Sequence, residues 1–203
     1  MNNRLNFKVV DFTNADEAIK VQRNIFREED GMINVLASLD RDLFVEITGF
    51  NYPDDKVKYY LAYNGDVPVG ITGFYIEDST DERWLAWFGV VPEYRNLGYG
   101  KEILNWSFSK VLEEGAKVLR LYTDAIGNKD AIELYKKLGF VGEKYSAEEL
   151  PYDCYIYSKS LVNSKIELWN NKKLGLAEQY GFQVLSDSQK ERIYNEYKQK
   201  YFK

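Results

Sequence analysis

Residues Val90 to Lys101, Val-Val-Pro-Glu-Tyr-Arg-Asn-Leu-Gly-Tyr-Gly-Lys, constrain the fold more than any other stretch. A β-branched run enters a glycine-spaced turn that opens directly into an amphipathic helix. Pro92 offers no N–H to a sheet ladder and so stops the strand. Gly98 and Gly100 allow backbone conformations that a Cβ would oppose, and let the chain approach a ligand closely. Successive amides can then converge on one anion, and the helix that follows adds its unpaired N–H groups and the positive end of its dipole. A pyrophosphate suits such a cradle; glycines in a strand-to-helix turn also occur for purely structural reasons. No Gly-Lys-Ser/Thr follows, so this is not a Walker loop, and the third glycine of the dinucleotide fingerprint is missing.

A chain of 203 residues is long enough to bury a real core in one domain, or in one domain with an appendage. Its 27 basic and 32 acidic side chains give a net charge of −5. That balance argues against a nucleic-acid partner, whose phosphates need a basic face, and favours a cationic substrate. There is no histidine, which removes Ser-His and Cys-His machinery and His-ligated zinc. Acid–base chemistry then falls to carboxylates, tyrosines, lysines, the backbone or water, and no metal is expected. Cys154 stands alone, so no intramolecular disulfide can form, and it reads as a small buried hydrophobe. The start Met-Asn-Asn-Arg-Leu-Asn carries no apolar signal region and no apolar run reaches membrane-spanning length, so a cytoplasmic protein without membrane association is expected.

Periodicity predicts a first strand over Asn6 to Phe12, then a helix opened by Thr13 with Asp16 and Glu17 and running to about Glu28. A second helix is expected over Met32 to Leu43. Val57 to Tyr63 and Val67 to Ile76 flank the hairpin signal Asn64-Gly65-Asp66, and Trp84 to Val91 continues the antiparallel run. Beyond the glycine turn come a helix over Gly100 to Glu114 stopped by Gly115, a strand over Val118 to Thr123 and a short helix ended by Gly139. Strands over Phe140 to Tyr145 and Asp153 to Leu161 complete the body. In the last of them, alternation puts Tyr155 and Tyr157 on one face and Cys154 and Ile156 on the other. The remainder differs in composition, and Ser186 with Gln189 forms a capping-box pattern before a helix near Asp187 to Tyr201. The nearly aligned Ile193, Tyr194, Tyr197 and Tyr201 suit docking on the main body or on a second subunit, so a homodimer is one expected assembly.

Two segments together resemble one family. Arg95-Asn96-Leu97-Gly98-Tyr99-Gly100 is similar to the Arg/Gln-x-x-Gly-x-Gly/Ala signature of the GNAT superfamily of acetyl-CoA-dependent N-acetyltransferases. Asn128 to Phe140 is similar to that family's second segment, Asn-x-x-Ala-x-x-x-Tyr-x-x-x-Gly-Phe, and the order of elements agrees from about Phe7 to Leu161. The resemblance implies an α/β (α+β) fold with a mixed, mostly antiparallel central sheet flanked by helices. Residues 1–161 would form this domain and 162–203 a C-terminal extension, docked and partly helical.

What the resemblance implies for the site can be set out residue by residue. The amides of Leu97, Gly98, Tyr99, Gly100 and Lys101 would hold the CoA pyrophosphate, with Arg95 either assisting as a cation or standing as a solvated structural side chain. Phe88 and Val90, in a strand similar to the family's bulged one, would offer backbone groups to the pantetheine arm, and one such amide would polarise the thioester carbonyl. Asn128 would contact the cofactor arm and cap its helix. Tyr135 corresponds to the general acid that protonates the departing sulfur, its alternative being a core aromatic. The base is less defined: Glu77, Asp78, Asp81, Glu82 and Asp124 are candidates, with Asp124 preferred at a strand end. The link Thr123 to Gly127 is about one residue longer than the common pattern, which puts the placement of Asp124 in doubt. Trp84, Trp87 and Phe88 would be core or would line an acceptor pocket. The implied activity is acetyl transfer from acetyl-CoA to a primary amine of a small molecule, amino acid derivative or peptide by direct attack. A catalytically silent CoA-binding sensor is the alternative.

Overall fold

A computed structural model describes residues 4–27, 31–48, 57–76, 82–124, 129–145, 154–166, 168–169 and 186–201 of the protein. The elements run β1 (Asn6–Val9), α1 (Ala15–Ile25), α2 (Gly31–Leu39), α3 (Arg41–Thr48), β2 (Val57–Asn64), β3 (Val67–Tyr75) and β4 (Glu82–Val90). They continue with a 3-10 turn (Pro92–Tyr94), α4 (Tyr99–Glu113), β5 (Val118–Asp124), α5 (Lys129–Lys137), β6 (Val141–Tyr145), β7 (Cys154–Ser160) and α6 (Asp187–Tyr201). The seven strands make one sheet in the order β1-β2-β3-β4-β5-β7-β6. It is mostly antiparallel: β4 and β5 pair in parallel, whereas β1–β2, β5–β7 and β6–β7 are antiparallel. No helix among the described residues is long and apolar enough to cross a membrane.

Chain contacts divide the protein into two compact units. The first comprises Met1–Gly73, Trp87–Ile103 and Gly181–Lys203. Here β1 runs antiparallel to β2, from Asn6 opposite Tyr63 to Val9 opposite Tyr60. The expected hairpin turn is present, with Gly65 at φ +61° between β2 and β3. Leu5, Ala62, Val69, Tyr99 and Ile103 form a buried cluster, against which Phe7, Phe88, Val90 and Tyr94 pack. That cluster ties the first turn of α4 to the sheet.

Two helix boundaries depart from the expected ones. Thr13 does not cap α1; its N–H and hydroxyl both donate to Asp11 Oδ1, at 2.7 and 2.5 Å. Asn14 precedes the helix without a side-chain cap, because its own amide is spent on Val9 O and Asp11 N–H, each at 2.9 Å. The single helix expected over Met32 to Leu43 is two, α2 and α3. Asp40 divides them, its Oδ1 accepting from the N–H groups of Asp42 (3.0 Å) and Leu43 (3.1 Å), which makes it the N-cap of α3.

The capping box at the start of α6 is formed: Ser186 N–H donates to Gln189 Oε1 at 2.9 Å, and Gln189 N–H to Ser186 Oγ at 3.4 Å. Ile193 and Tyr197 are buried, Tyr197 stacks near Phe12 at 6.4 Å, and Lys200 and Arg192 pair with Asp40 and Glu46. The tail helix thus folds onto α2, within the first unit.

The second unit comprises Phe74–Ala86 and Leu104–Tyr180. Its strands carry long registers, from Val118 opposite Ser160 to Asp124 opposite Cys154 between β5 and β7. Two helices here end in the same way. After α4, Gly115 at φ +84° donates to Leu112 O and Ala116 to Val111 O; after α5, Gly139 at φ +84° donates to Lys136 O and Phe140 to Tyr135 O. Both are paired terminal bonds around a left-handed residue, a conformation glycine adopts without a Cβ penalty. At the centre, Arg120 is fully buried. Its Nε and Nη2 donate to the two carboxylate oxygens of Glu82 at 2.8 and 2.7 Å, and its Nη1 to Ser158 Oγ at 2.6 Å. The Trp169 ring lies 5.6 Å from the guanidinium carbon and meets Trp84 edge-on at 4.9 Å. Trp84 is therefore core. Cys154 is also buried, as its sequence context implies.

Candidate active site

β4 leads into the site. Its parallel ladder with β5 covers Glu82, Arg83 and Trp84, opposite Val118, Leu119 and Arg120. Further along the strand Trp87 sits at φ +46°, a left-handed conformation rare for a bulky residue and the mark of a bulge that re-aims the chain. Its ring meets Phe26 edge-on at 5.3 Å. Gly89 follows, where an added Cβ would lie 2.4 Å from Ile25 Cγ2, so α1 closes on the strand only because that side chain is missing. Phe88 and Val90 turn their side chains to the core cluster of the first unit.

The strand ends where Val91 N–H donates to Val69 O at 2.9 Å. The 3-10 turn over Pro92–Tyr94 then lifts the chain, and Arg95 Nε returns to donate to Val90 O at 3.1 Å. Arg95 is exposed, and this bond braces the strand exit. Asn96 at φ +62° and Gly98 at φ +85° are the two left-handed residues of the turn. Gly100 does not share that conformation; it lies in the first turn of α4. Asn96 takes the second left-handed position. Asparagine is among the few non-glycine types that visit it at low cost.

The result is a helix start facing solvent. The first backbone bond of α4 runs from Glu102 N–H to Gly98 O at 3.2 Å, which leaves the N–H groups of Tyr99, Gly100 and Lys101 without an intrahelical acceptor. Leu97, Gly98 and Lys101 are exposed, whereas the Tyr99 side chain is buried in the core. Tyr99 can thus offer a ligand its amide while its ring anchors the helix. Anchored amides, the exposed Gly98 and the cations Arg95 and Lys101 in one turn fit an anionic group. Among the described residues no cluster of three or more His, Cys, Asp or Glu could hold a metal ion.

On the other side of the turn sits Arg4, a residue nothing in the sequence singles out. Its Nη2 donates to Leu97 O at 3.0 Å, its Nε pairs with Glu102 Oε2 at 3.3 Å, and its guanidinium carbon lies 4.9 Å from the Tyr99 ring centroid. Leu5 N–H donates to the other oxygen of Glu102 at 2.8 Å. These contacts join positions more than ninety residues apart in sequence, beyond the reach of any local pattern.

Tyr135 lies on α5 in the second unit. It is buried against Phe140 and Tyr157, with ring centroids at 5.6 and 6.0 Å, which is the core-aromatic placement. Burial pushes its phenol well above the ordinary tyrosine value, so it is protonated at neutral pH. The backbone of Asp124 ends β5 opposite Cys154. The Asp124 side chain, Asn128, Glu77, Asp78 and Asp81 lie outside the described residues. Glu82, the remaining carboxylate candidate, is committed to Arg120.

Comparison with known proteins agrees with this architecture. The model of the acetyltransferase (GNAT) family matches residues 23–140, more than half of the chain. The ribosomal-protein-S18-alanine N-acetyltransferase of Escherichia coli superposes with a TM-score of 0.61 at 16% identity, covering 81% of this chain and 99% of that one. Spermidine N-acetyltransferase of Vibrio cholerae in complex with CoA and spermine gives 0.59 at 14%, covering 79% and 97%. A GNAT-family acetyltransferase of Staphylococcus aureus Mu50 gives 0.56 at 24%, covering 78% and 99%. No curated protein matches significantly by sequence.

Proposed function

Because the chain belongs to the GNAT acetyltransferase family, we propose that it transfers the acetyl group of acetyl-CoA to a primary amine of a small molecule, amino acid derivative or peptide. The observation that carries this reading is the start of α4, where the N–H groups of Tyr99, Gly100 and Lys101 have no intrahelical acceptor and the Tyr99 side chain anchors the first turn in the core. The CoA pyrophosphate is the anion such a row suits, assisted by Arg95. Leu97 closes the turn. The strand supports the same reading, because the φ of +46° at Trp87 interrupts extended backbone just before Phe88 and Val90. Their backbone groups would pair with the amide-like pantetheine arm, and one N–H would stabilise the oxyanion of the tetrahedral intermediate. Asn128 would hold the same arm.

In this mechanism a neutral amine attacks the thioester carbonyl carbon, its ammonium proton having passed to a carboxylate, for which Asp124 is proposed. The carbon–sulfur bond of the intermediate then breaks. Tyr135 donates its phenolic proton to the departing thiolate, and the phenolate is reprotonated by the second proton that the nitrogen sheds as the amide forms; burial, which disfavours the phenolate, keeps the donor protonated beforehand. The net charge of −5 favours a cationic acceptor, and the spermidine for which one of the enzymes above is named is of that class. A cytoplasmic setting, with neither nucleic-acid nor membrane partners, is part of the proposal.

The direct test follows free thiol release as the protein is incubated with acetyl-CoA and a panel of amines. Thiol release that depends on one amine class identifies the acceptor. CoA binding with no release from any amine would instead make the protein a CoA-binding sensor.

A further inference from the structure

We propose that Arg4 is a positioning residue for the phosphate grip: it tunes the Gly98 amide from the opposite side of the turn and cancels the charge of Glu102. The inference rests on the CoA reading above and deepens it. Three contacts of one guanidinium converge around Gly98: the Leu97 carbonyl at 3.0 Å, the Glu102 carboxylate at 3.3 Å and the Tyr99 ring at 4.9 Å. A Cβ at Gly98 would come within 3.3 Å of Arg4 Nη2, so the missing side chain also makes room for the guanidinium.

The geometry of a peptide unit gives this arrangement a consequence. The described chain contains no cis peptide bond, so the Leu97 carbonyl and the Gly98 N–H, which share one peptide plane, point in opposite directions. A cation on the carbonyl oxygen draws electron density through the conjugated amide and makes the N–H at the far end a stronger donor. Arg4 thus acts on a bound phosphate without touching it. It also pins the carbonyl, and with it the orientation of the donor.

Glu102 supplies the second half. A carboxylate in the first turn of α4 suits the helix dipole yet opposes a dianionic ligand at the same helix end. Arg4 neutralises one oxygen, and Leu5 N–H occupies the other at 2.8 Å. Remove Arg4, and the grip loses its polarisation while gaining an unscreened negative charge.

The experiment compares CoA with pantetheine, which carries the arm without the phosphates, by titration calorimetry for the first and NMR titration for the weaker second. R4Q is expected to weaken CoA binding about tenfold, the scale of one charge-assisted hydrogen bond, and to leave pantetheine binding unchanged. Adding E102Q to R4Q should recover part of the loss, and R4K, which keeps the charge without the fork, should fall between wild type and R4Q. An R4Q variant that binds CoA like wild type overturns the inference. So does one that loses CoA and pantetheine in equal proportion, which marks a purely structural arginine. A wild-type protein that binds no CoA overturns the underlying reading instead, and is recognised before any variant is compared.

Discussion

Two arginine–glutamate pairs serve the two units of this protein in opposite ways. Arg120 and Glu82 meet through two short bonds with side chains 0% and 9% exposed, whereas Arg4 and Glu102 meet through one longer bond with side chains 56% and 16% exposed. The first pair is almost wholly removed from water and is held by Ser158 and the Trp169 ring besides. Its removal cannot be compensated by solvent, so it supports architecture. The second remains hydrated, adds little to stability, and keeps a guanidinium against the turn where an anion would bind. On the role proposed for Arg4, equal chemistry is structural in one place and functional in the other because the surroundings set what each charge costs.

The comparison breaks most sharply at the buried pair. Glu82→Ala leaves a buried guanidinium without its carboxylate and is expected to destabilise the protein by about 3 to 5 kcal/mol, read from the urea midpoint. A loss below about 1 kcal/mol would mean that solvent reaches Arg120 after all. Next comes the phenol buried in the same unit: Tyr135→Phe should slow turnover by about a hundredfold or more while CoA affinity holds, and an unaltered rate removes Tyr135 from the chemistry. Because its folded value is raised by burial, Tyr135 contributes stability below about pH 10, the unfolded value, and that contribution is lost as the pH rises above it. Alkaline unfolding of Tyr135→Phe should accordingly be less steep than that of wild type.

The exposed turn is tested by Gly98→Val, which forces a β-branched residue into φ +85° against Arg4. It should cost about 1 to 2 kcal/mol of stability and abolish CoA binding, and intact binding would refute the cradle. The smallest expected effect sharpens the contrast itself. Arg4→Gln should change stability by less than about 1 kcal/mol, as for other hydrated ion pairs. A loss comparable with that of Glu82→Ala would show that the two pairs are not different in kind.

Acid should act on a third region. Burial raises the Asp40 carboxyl, but the Tyr197 hydroxyl, the Leu43 and Asp42 N–H groups and Lys200 together outweigh it and leave its pKa lowered. Its contribution is therefore present above about pH 4 and lost as the pH falls below that value. Asp40→Asn should remove this acid sensitivity, measured as the pH dependence of the thermal midpoint.

Much of the body was legible along the chain because it depends on neighbours in sequence. The hairpin at Gly65, the helix stops at Gly115 and Gly139, the capping box at Ser186 and the strand-to-helix turn at Gly98 are all local events with local residue preferences. The two helix boundaries that depart from expectation are also local, but they turn on competition between side chains. Asp11 outbids the α1 helix for Thr13, and Asp40 caps α3 where apolar spacing runs on uninterrupted. Choosing between such partners requires knowing how the backbone turns, which spacing does not report.

By itself, then, the sequence determined the family, the glycine turn, and the exclusion of histidine chemistry, since each depends on which residue types are present and in what order. Tertiary structure alone decided that Glu82 is tied to Arg120, that Trp84 is core, and that the Tyr99 side chain is buried beneath the turn. It also brought Arg4 to Gly98. A residue's charge and donors belong to its sequence, but their partners and hydration are assigned by the packing of distant segments.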